Sequence, residues 1–329
     1  MLHDRGMDEI ASAFDFTSIH DLRRLGVDDR AFRRVATRGV MVQLHRGAYM
    51  DRADWAARDP DGRYVMRVIG AVASSRSRLV ASHESAAAIW AIPRIAALPA
   101  RIHVLSSTAT GTRTEGMMRR HATTRLDFDI QSRGELRVTG LIRTLVELAT
   151  VVPFVDAVAA FDWALHRQKN DGAAVVVTRE SVIRWLSELG IPRFRKRVLM
   201  AFDFADADAG SPGESISRVV IHELGFPKPE LQHPFFDSGG LIGISDFWWP
   251  EHNTAGEFDG VAKYVREEFT KGRSTAQVVI DEKNRENRIR ATGPRVARWD
   301  WRDVTHPALL HAILVSAGLP FARSTRRRA

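Results

Sequence analysis

Cysteine is absent from all 329 residues. That excludes disulfides and thiolate zinc sites together, so any metal here must be held by oxygen or imidazole. Long apolar runs are missing too. No stretch approaches the roughly 20 residues that a membrane-spanning helix needs. Met1 to Phe14 is polar and acidic, unlike a signal peptide, so the expectation is a cytoplasmic chain with no membrane partner. Repeats and low-complexity tracts are also lacking, apart from the short basic tail Arg323 to Arg328. What is present is a 44% hydrophobic share, enough to give two or three domains a core each and to exclude a wholly disordered chain. The formal charge of +8 favours a polyanionic partner, because each cation set on a phosphate releases counterions. Charge alone leaves RNA as open as DNA.

Patterning divides the chain into residues 1–55, 56–205 and 206–329. In the first, Thr17 to Gly26 carries a capping residue, apolar positions at Ile19, Leu22 and Leu25, and a glycine stop, which predicts a short helix. Asp28 then caps a second helix running to Arg38, with Phe32 and Val35 inward and Arg30, Arg33, Arg34 and Arg38 on its surface. Val40 to Tyr49 alternates and turns at Gly47, as a two-stranded wing does. Helix, turn, basic helix and glycine-tipped hairpin make a winged helix-turn-helix, with the second helix in the major groove of double-stranded DNA and Arg46 near backbone phosphates. A solvated charged face is the plainer alternative for the four helical arginines.

The middle region mixes helices with short strands such as Arg101 to Ser106 and Glu135 to Thr139. Ser82 is placed to cap a helix from His83 to Trp90, so His83 reads as a packing or capping residue. Five strings in this order resemble the AbiEi-type antitoxin family over roughly residues 17 to 165: Leu22 to Gly26, Arg34 with Arg38 and Gly39, Leu44 to Tyr49, Ala81 to Ala86 and Val138 to Val146. The resemblance implies an N-terminal winged helix that binds the promoter of its own operon. It also implies an antitoxin role beside a cognate nucleotidyltransferase-like toxin.

Phe202 to Gly213 is acidic, small-residued and closed by turn formers, which predicts a linker. Ser211 and Pro212 then open a helix ending at Gly225. Strand patterns follow at Glu230 to Phe236, Leu241 to Trp248 and Ala255 to Asp259, then helices near Val265 to Lys271 and Thr275 to Ile289. A strand at Arg295 to Trp301 and a helix at Pro307 to Ala317 complete the order. Strand alternation sends Glu257 and Asp259 to one face and Phe258 to the core, and a hairpin brings Asp246 alongside. With Glu214 on the opening helix, three or four carboxylates then share a pocket. Such a cluster repels itself unless a cation neutralises it, and hard oxygen ligands favour Mg²⁺ or Mn²⁺ on Asp246, Glu257 and Asp259. Trp248, Trp249, Trp299 and Trp301 read as core. Lys263, Arg266, Lys271 and Arg273 fit either a phosphate track or an exposed charged helix.

The segments Ser211 to Ser215, Ser245 to Pro250, Gly256 to Gly260, Lys263 with Tyr264, Asp281 to Arg285 and Arg298 to Trp301 resemble the PD-(D/E)xK nuclease superfamily, near the very-short-patch repair endonucleases. That resemblance implies Asp246 and Glu257 as metal ligands with Glu214 supporting. Asp259 stands where the family has a lysine, and Lys263 or Lys283 is the candidate replacement for its charge. The expected architecture is therefore an α+β or α/β multidomain chain: a winged helix, a mixed α/β middle domain and a restriction-endonuclease-like αβββαβ core. Its expected function is DNA binding with Mg²⁺-dependent endonuclease activity, in phage defence, repair or toxin-antitoxin control. The alternative is a non-catalytic AbiEi-like antitoxin or autorepressor.

Overall fold

A computed structural model of the chain describes residues 16–18, 39–75, 79–97, 99–107, 111–123, 128–133, 136–173, 175–260 and 275–321, with backbone alone for 16–18, 133, 275–279 and 282. The chain is mixed α/β and divides into two compact units, residues 1–160 with 174–204, and residues 161–173 with 205–329. Among the described residues no helix is long and apolar enough to cross a membrane.

The first unit opens with a three-stranded antiparallel sheet in the order β1-β3-β2, from Phe16–Ser18 (β1), Met41–His45 (β2) and Ala48–Asp51 (β3). Gly47, at φ +86°, makes the β2–β3 turn that the alternation from Val40 to Tyr49 predicts. Thr17 does not cap a helix: it pairs with Tyr49 inside β1. Phe16 and Thr17 are strand formers, and the outer edge of β3 offers them a row of backbone partners that a helix start does not. Helices α1 (Arg52–Ala57) and α2 (Pro60–Ala73) follow, each started by an aspartate. Asp51 accepts from Ala53 N at 2.7 Å, and Asp59 from Gly62 N at 2.7 Å. A Cβ on Gly70 would sit 3.0 Å from that of Leu44, so glycine lets α2 close against the hairpin.

The second sheet of this unit has six strands in the order β6-β7-β5-β4-β9-β8, from Val80–Ala81 (β4), Ile102–Ser106 (β5), Thr112–Glu115 (β6), Met118–Ala122 (β7), Ile130–Arg133 (β8) and Leu136–Thr139 (β9). β5 runs parallel to β7, and β4 parallel to β9. Every residue of Ile102-His-Val-Leu-Ser106 is buried, as a central strand requires, whereas the polar Thr112-Arg-Thr-Glu115 is exposed throughout and forms the edge. Around the sheet come α3 (His83–Ile89), α4 (Leu141–Val151), α5 (Phe154–Asn170), α6 (Arg179–Glu188) and α7 (Arg195–Phe204). Trp90 donates from Nε1 to the Thr139 carbonyl at 2.9 Å and ties the end of α3 to β9. Helix α7 takes in Phe202 to Phe204, so the predicted linker begins later than its composition suggests. The part of α5 beyond Ala160 belongs to the second unit.

That unit runs α8 (Pro212–Glu223), β10 (Glu230–Asp237), β11 (Gly240–Trp249), β12 (Thr254–Asp259), α9 (Thr275–Ala291), β13 (Arg295–Asp300), α10 (Trp301–Thr305) and α11 (Pro307–Ser316). The sheet order is β10-β11-β12-β13, with the first two pairings antiparallel and the last parallel. Ser211 Oγ accepts from Glu214 N at 3.2 Å, Pro212 takes the first helical position, and Gly225 at φ +79° ends α8. Strand alternation makes two faces. Phe235, Ile242, Trp248 and Ala255 form one cluster with Ile289 of α9 and Val296. Phe247, Trp249, Phe258 and Trp299 belong to the other face, where Trp299 Nε1 donates to Ser217 Oγ of α8 at 2.8 Å. Trp248, Trp249 and Trp299 are 8%, 1% and 2% exposed and so are core, not surfaces open to a base. Trp301 leaves the strand as the first residue of α10, because Asp300 accepts from Arg302 N and Asp303 N at 2.8 and 3.2 Å and starts a helix there.

Candidate functional site

On β12, Glu257 and Asp259 share the face that looks toward α9, while the Phe258 ring turns to the opposite side beneath Gly213 of α8. Asp246 of β11 lies just beyond the register pair Phe247–Gly256, which puts it across from Glu257. There the backbone ladder gives way to a side chain, as Asp246 Oδ2 accepts the Phe258 N–H at 2.9 Å. Parallel pairing sets Arg298 of β13 beside Glu257. From α9, Arg285 Nη2 reaches both Glu257 oxygens at 2.8 and 2.7 Å. Arg298 Nη2 lies 3.0 Å from Glu257 Oε2, and Arg298 also makes a two-pronged bond to Asp259, at 3.0 Å from Nε and from Nη2. Its Nη1 takes Glu286 Oε2 at 2.8 Å. One guanidinium therefore joins three carboxylates. Arginine suits that task because its planar fork presents several donors in fixed directions.

These pairs change the electrostatic argument. Self-repulsion among Asp246, Glu257 and Asp259 is relieved by Arg285 and Arg298, so a cation is not needed to hold the carboxylates together. Among the described residues no group of three or more histidine, aspartate or glutamate side chains is placed to hold a metal ion. Both Glu257 oxygens are bonded to arginine and one Asp246 oxygen to an amide, so in this arrangement the donor set does not fit Mg²⁺ or Mn²⁺. Glu214 completes the start of α8. Its carboxylate accepts from Ser211 Oγ at 2.8 Å, Gly210 N at 2.9 Å and Gln232 Nε2 at 3.0 Å. Lys283 is exposed on α9. Lys263, Arg266, Lys271 and Arg273 lie outside the described residues, as do Arg30, Arg33, Arg34 and Arg38. Arg46 is exposed at the β2–β3 turn.

Sequence reasoning did not assign Arg285, Glu286 or Arg298 a part in this site. Arg285 and Arg298 stood in strings of the nuclease resemblance, but their pairing with Glu257 needs α9 laid on the sheet and the parallel β12–β13 register, which no local pattern announces.

A second polar cluster lies in the first unit. The His83 and His121 rings stack with centroids 3.7 Å apart and planes 15° from parallel. His121 Nε2 lies 3.3 Å from His103 Nδ1, and His103 Nε2 lies 3.1 Å from Glu84 Oε2. A neutral His103 that donates from Nε2 to Glu84 accepts at Nδ1 from His121, which fixes both tautomers. Ser82 makes no side-chain cap bond to α3; its Oγ instead meets His83 Nδ1 at 3.1 Å. His83 sits at φ +50°, in the left-handed region that non-glycine residues avoid at a cost of order 1 kcal/mol or more. Beside it, wholly buried Arg143 donates from Nε to Glu147 Oε1 at 2.7 Å.

Burial lowers all three imidazoles, His121 to about 4 and His103 to about 3, with Arg119 pushing the same way. Unfolded histidine titrates near 6.5, so between about pH 6.5 and 4 the unfolded chain binds protons that the folded one refuses. Stability from this source is complete above the unfolded pKa and is lost as pH falls. Glu84 and Glu147, both raised by burial, take up protons on folding and partly offset the loss. His121→Gln removes one such group. Its urea-derived stability is expected to fall less steeply than wild type between pH 6.5 and 4.5, by up to about 1.4 kcal/mol per pH unit. Parallel curves for the two proteins would refute the assignment.

The chain matches no established family profile. It is 31% identical over 118 residues to two Mycobacterium tuberculosis proteins, uncharacterized protein MT2308 of strain CDC 1551 / Oshkosh and uncharacterized protein Rv2248 of strain ATCC 25618 / H37Rv. The match covers 36% of this chain and 41% of each relative.

Proposed function

We propose that the chain is a DNA-binding protein, an antitoxin or autorepressor in type, whose second unit is a nuclease-like domain that binds without cleaving. The observation that carries the nuclease-like part is the order α8, antiparallel β10-β11-β12, α9 and parallel β13, with Asp246 and Glu257 across from one another on the middle strands. That order and those two positions match the superfamily resemblance. The engaged state of the carboxylates favours binding over hydrolysis. Glu257 is held by two arginines, and Asp259, in the lysine's place, is held by Arg298.

The DNA-reading part rests on the hairpin turning at Gly47 with exposed Arg46, behind the basic segment Arg30 to Arg38. In a winged helix the hairpin follows the recognition helix and touches backbone phosphates. Double-stranded DNA is the partner, and by the antitoxin resemblance a nucleotidyltransferase-like toxin is the second one.

The rival reading is a Mg²⁺-dependent endonuclease, favoured by the shared face of Asp246 and Glu257. Plasmid nicking with Mg²⁺ or Mn²⁺ separates the two when wild type is compared with Asp246→Ala and Glu257→Ala. Duplex binding at low salt, equal in all three, with no nicking above the level of the variants, is the expected result. Nicking by wild type that drops about 100-fold or more in either variant establishes the endonuclease instead. Failure of the wild type to bind duplex DNA at low salt, where electrostatic attraction is strongest, removes both readings.

A further inference from the structure

The two strings Ala81 to Ala86 and Val138 to Val146 meet at a cavity of about 740 Å³ in the first unit, a size typical of small-molecule sites. His83 from the first string and Arg143 from the second both line it, with Glu147 one helical turn beyond Arg143. Arg119 and His121 come from β7, and Arg193 from the segment before α7. The charges are lopsided: buried Arg143 and Glu147 pair with one another, which leaves the exposed Arg119 and Arg193 as the surplus charge. Serine and threonine hydroxyls line part of the rest, the buried stack of His83 and His121 backs one side, and Leu189, Ile191 and Phe194 form an apolar wall. His83 holds its place in that stack from a strained left-handed backbone, and such strain clusters at binding sites.

We propose that this cavity binds a nucleoside phosphate, with the phosphate between Arg119 and Arg193 and the base against the wall made by Phe194 and Ile191. A phosphate monoester carries close to two negative charges at neutral pH, which answers the surplus of guanidinium groups. A flat base answers the Phe194 ring and its apolar neighbours, which a bare anion leaves unused. A cavity with two arginines at its mouth also differs from the long stripe of cations that tracks a DNA backbone, so the site is independent of the DNA-binding reading.

The same chemistry is offered by a free nucleotide and by the 5′ end of a strand, and calorimetric titration of the full chain distinguishes them. The probes are AMP, GMP, CMP, UMP and ATP, a 5′-phosphorylated trinucleotide, and ribose 5-phosphate as the ligand without a base. At least one base-bearing probe is expected to bind more tightly than ribose 5-phosphate. The expected loss is about 10-fold or more in Arg119→Ala and in Arg193→Ala, the value of one charge-assisted hydrogen bond. Arg302→Ala, an exposed arginine of the second unit, is expected to leave the affinity unchanged. Both pocket arginines are exposed, so their removal leaves the core intact. The proposal fails if no probe binds, if ribose 5-phosphate binds as tightly as every nucleotide, or if Arg302→Ala weakens binding as much as the pocket variants do.

Discussion

Replacing Asp162 with alanine is expected to destabilise the second unit by about 3–5 kcal/mol, a large part of what a domain of this size has. Asp162 is 1% exposed, and its carboxylate accepts from Arg218 Nη1 at 3.1 and 2.9 Å, Ser215 Oγ at 2.7 Å and Asp206 N at 2.7 Å. Burial pushes the Asp162 carboxyl up, against the downward pull of Arg218 and the three hydrogen bonds. Truncation leaves the Arg218 guanidinium, 6% exposed, without its counter-charge, and that desolvated charge sets the size of the effect. The double variant Asp162→Leu with Arg218→Met removes both charges and is expected to recover most of the loss. Urea unfolding followed by tryptophan fluorescence measures both proteins. A loss below about 1 kcal/mol in Asp162→Ala would show that the pair adds no more than a surface ion pair does.

Gly213→Ala is expected to cost about 1–3 kcal/mol or more, although alanine is the better helix former by about 1 kcal/mol. A Cβ at this position would lie 2.0 Å from Phe258 Cε1 and 2.4 Å from Cδ1, far inside contact distance. The ring has little room to retreat, being buried and packed edge-on to Trp301 with centroids 5.2 Å apart. Displacing it moves β12 between Glu257 and Asp259 and disturbs the Phe258 N–H bond to Asp246. Gly213→Ala is therefore expected to lower the stability of the second unit, and Phe258→Leu is expected to restore part of it. Unfolding of the two single variants and the double variant forms the cycle. Additive losses with no rescue would mean that the helix settles elsewhere and the close approach is not what demands glycine.

Much of the local structure was legible because neighbouring residues decide it. Ser211 and Pro212 start α8 through groups within three residues of one another, and Gly47 turns a hairpin whose strands adjoin it. The period of two along β12 sends Phe258 inward and Glu257 and Asp259 to the other face, which needs nothing beyond strand geometry. Thr17 shows the limit of such reasoning. As a cap it is as good as many, yet a vacant strand edge made by residues 31 or more positions later takes it instead.

The two sites depended on contacts between distant parts of the chain. Glu257 meets Arg285 across 28 residues, and Asp259 meets Arg298 across 39, through a parallel register that leaves no mark on either strand. The same three carboxylates read in sequence as a cluster that demands a cation became, with those arginines in place, an ion-pair lattice. Likewise His83 reads singly as a packing or capping residue, and it adjoins His103 and His121 only because a helix start and two parallel strands converge. Absence of cysteine, the turn at Gly47, the start of α8 at Ser211 and Pro212 and the alternation along β12 follow from the order of amino acids alone. Which charges neutralise one another and which rings wall a cavity was decided by tertiary packing, because electrostatic and stacking energies depend on distances in space and not on separations along the chain.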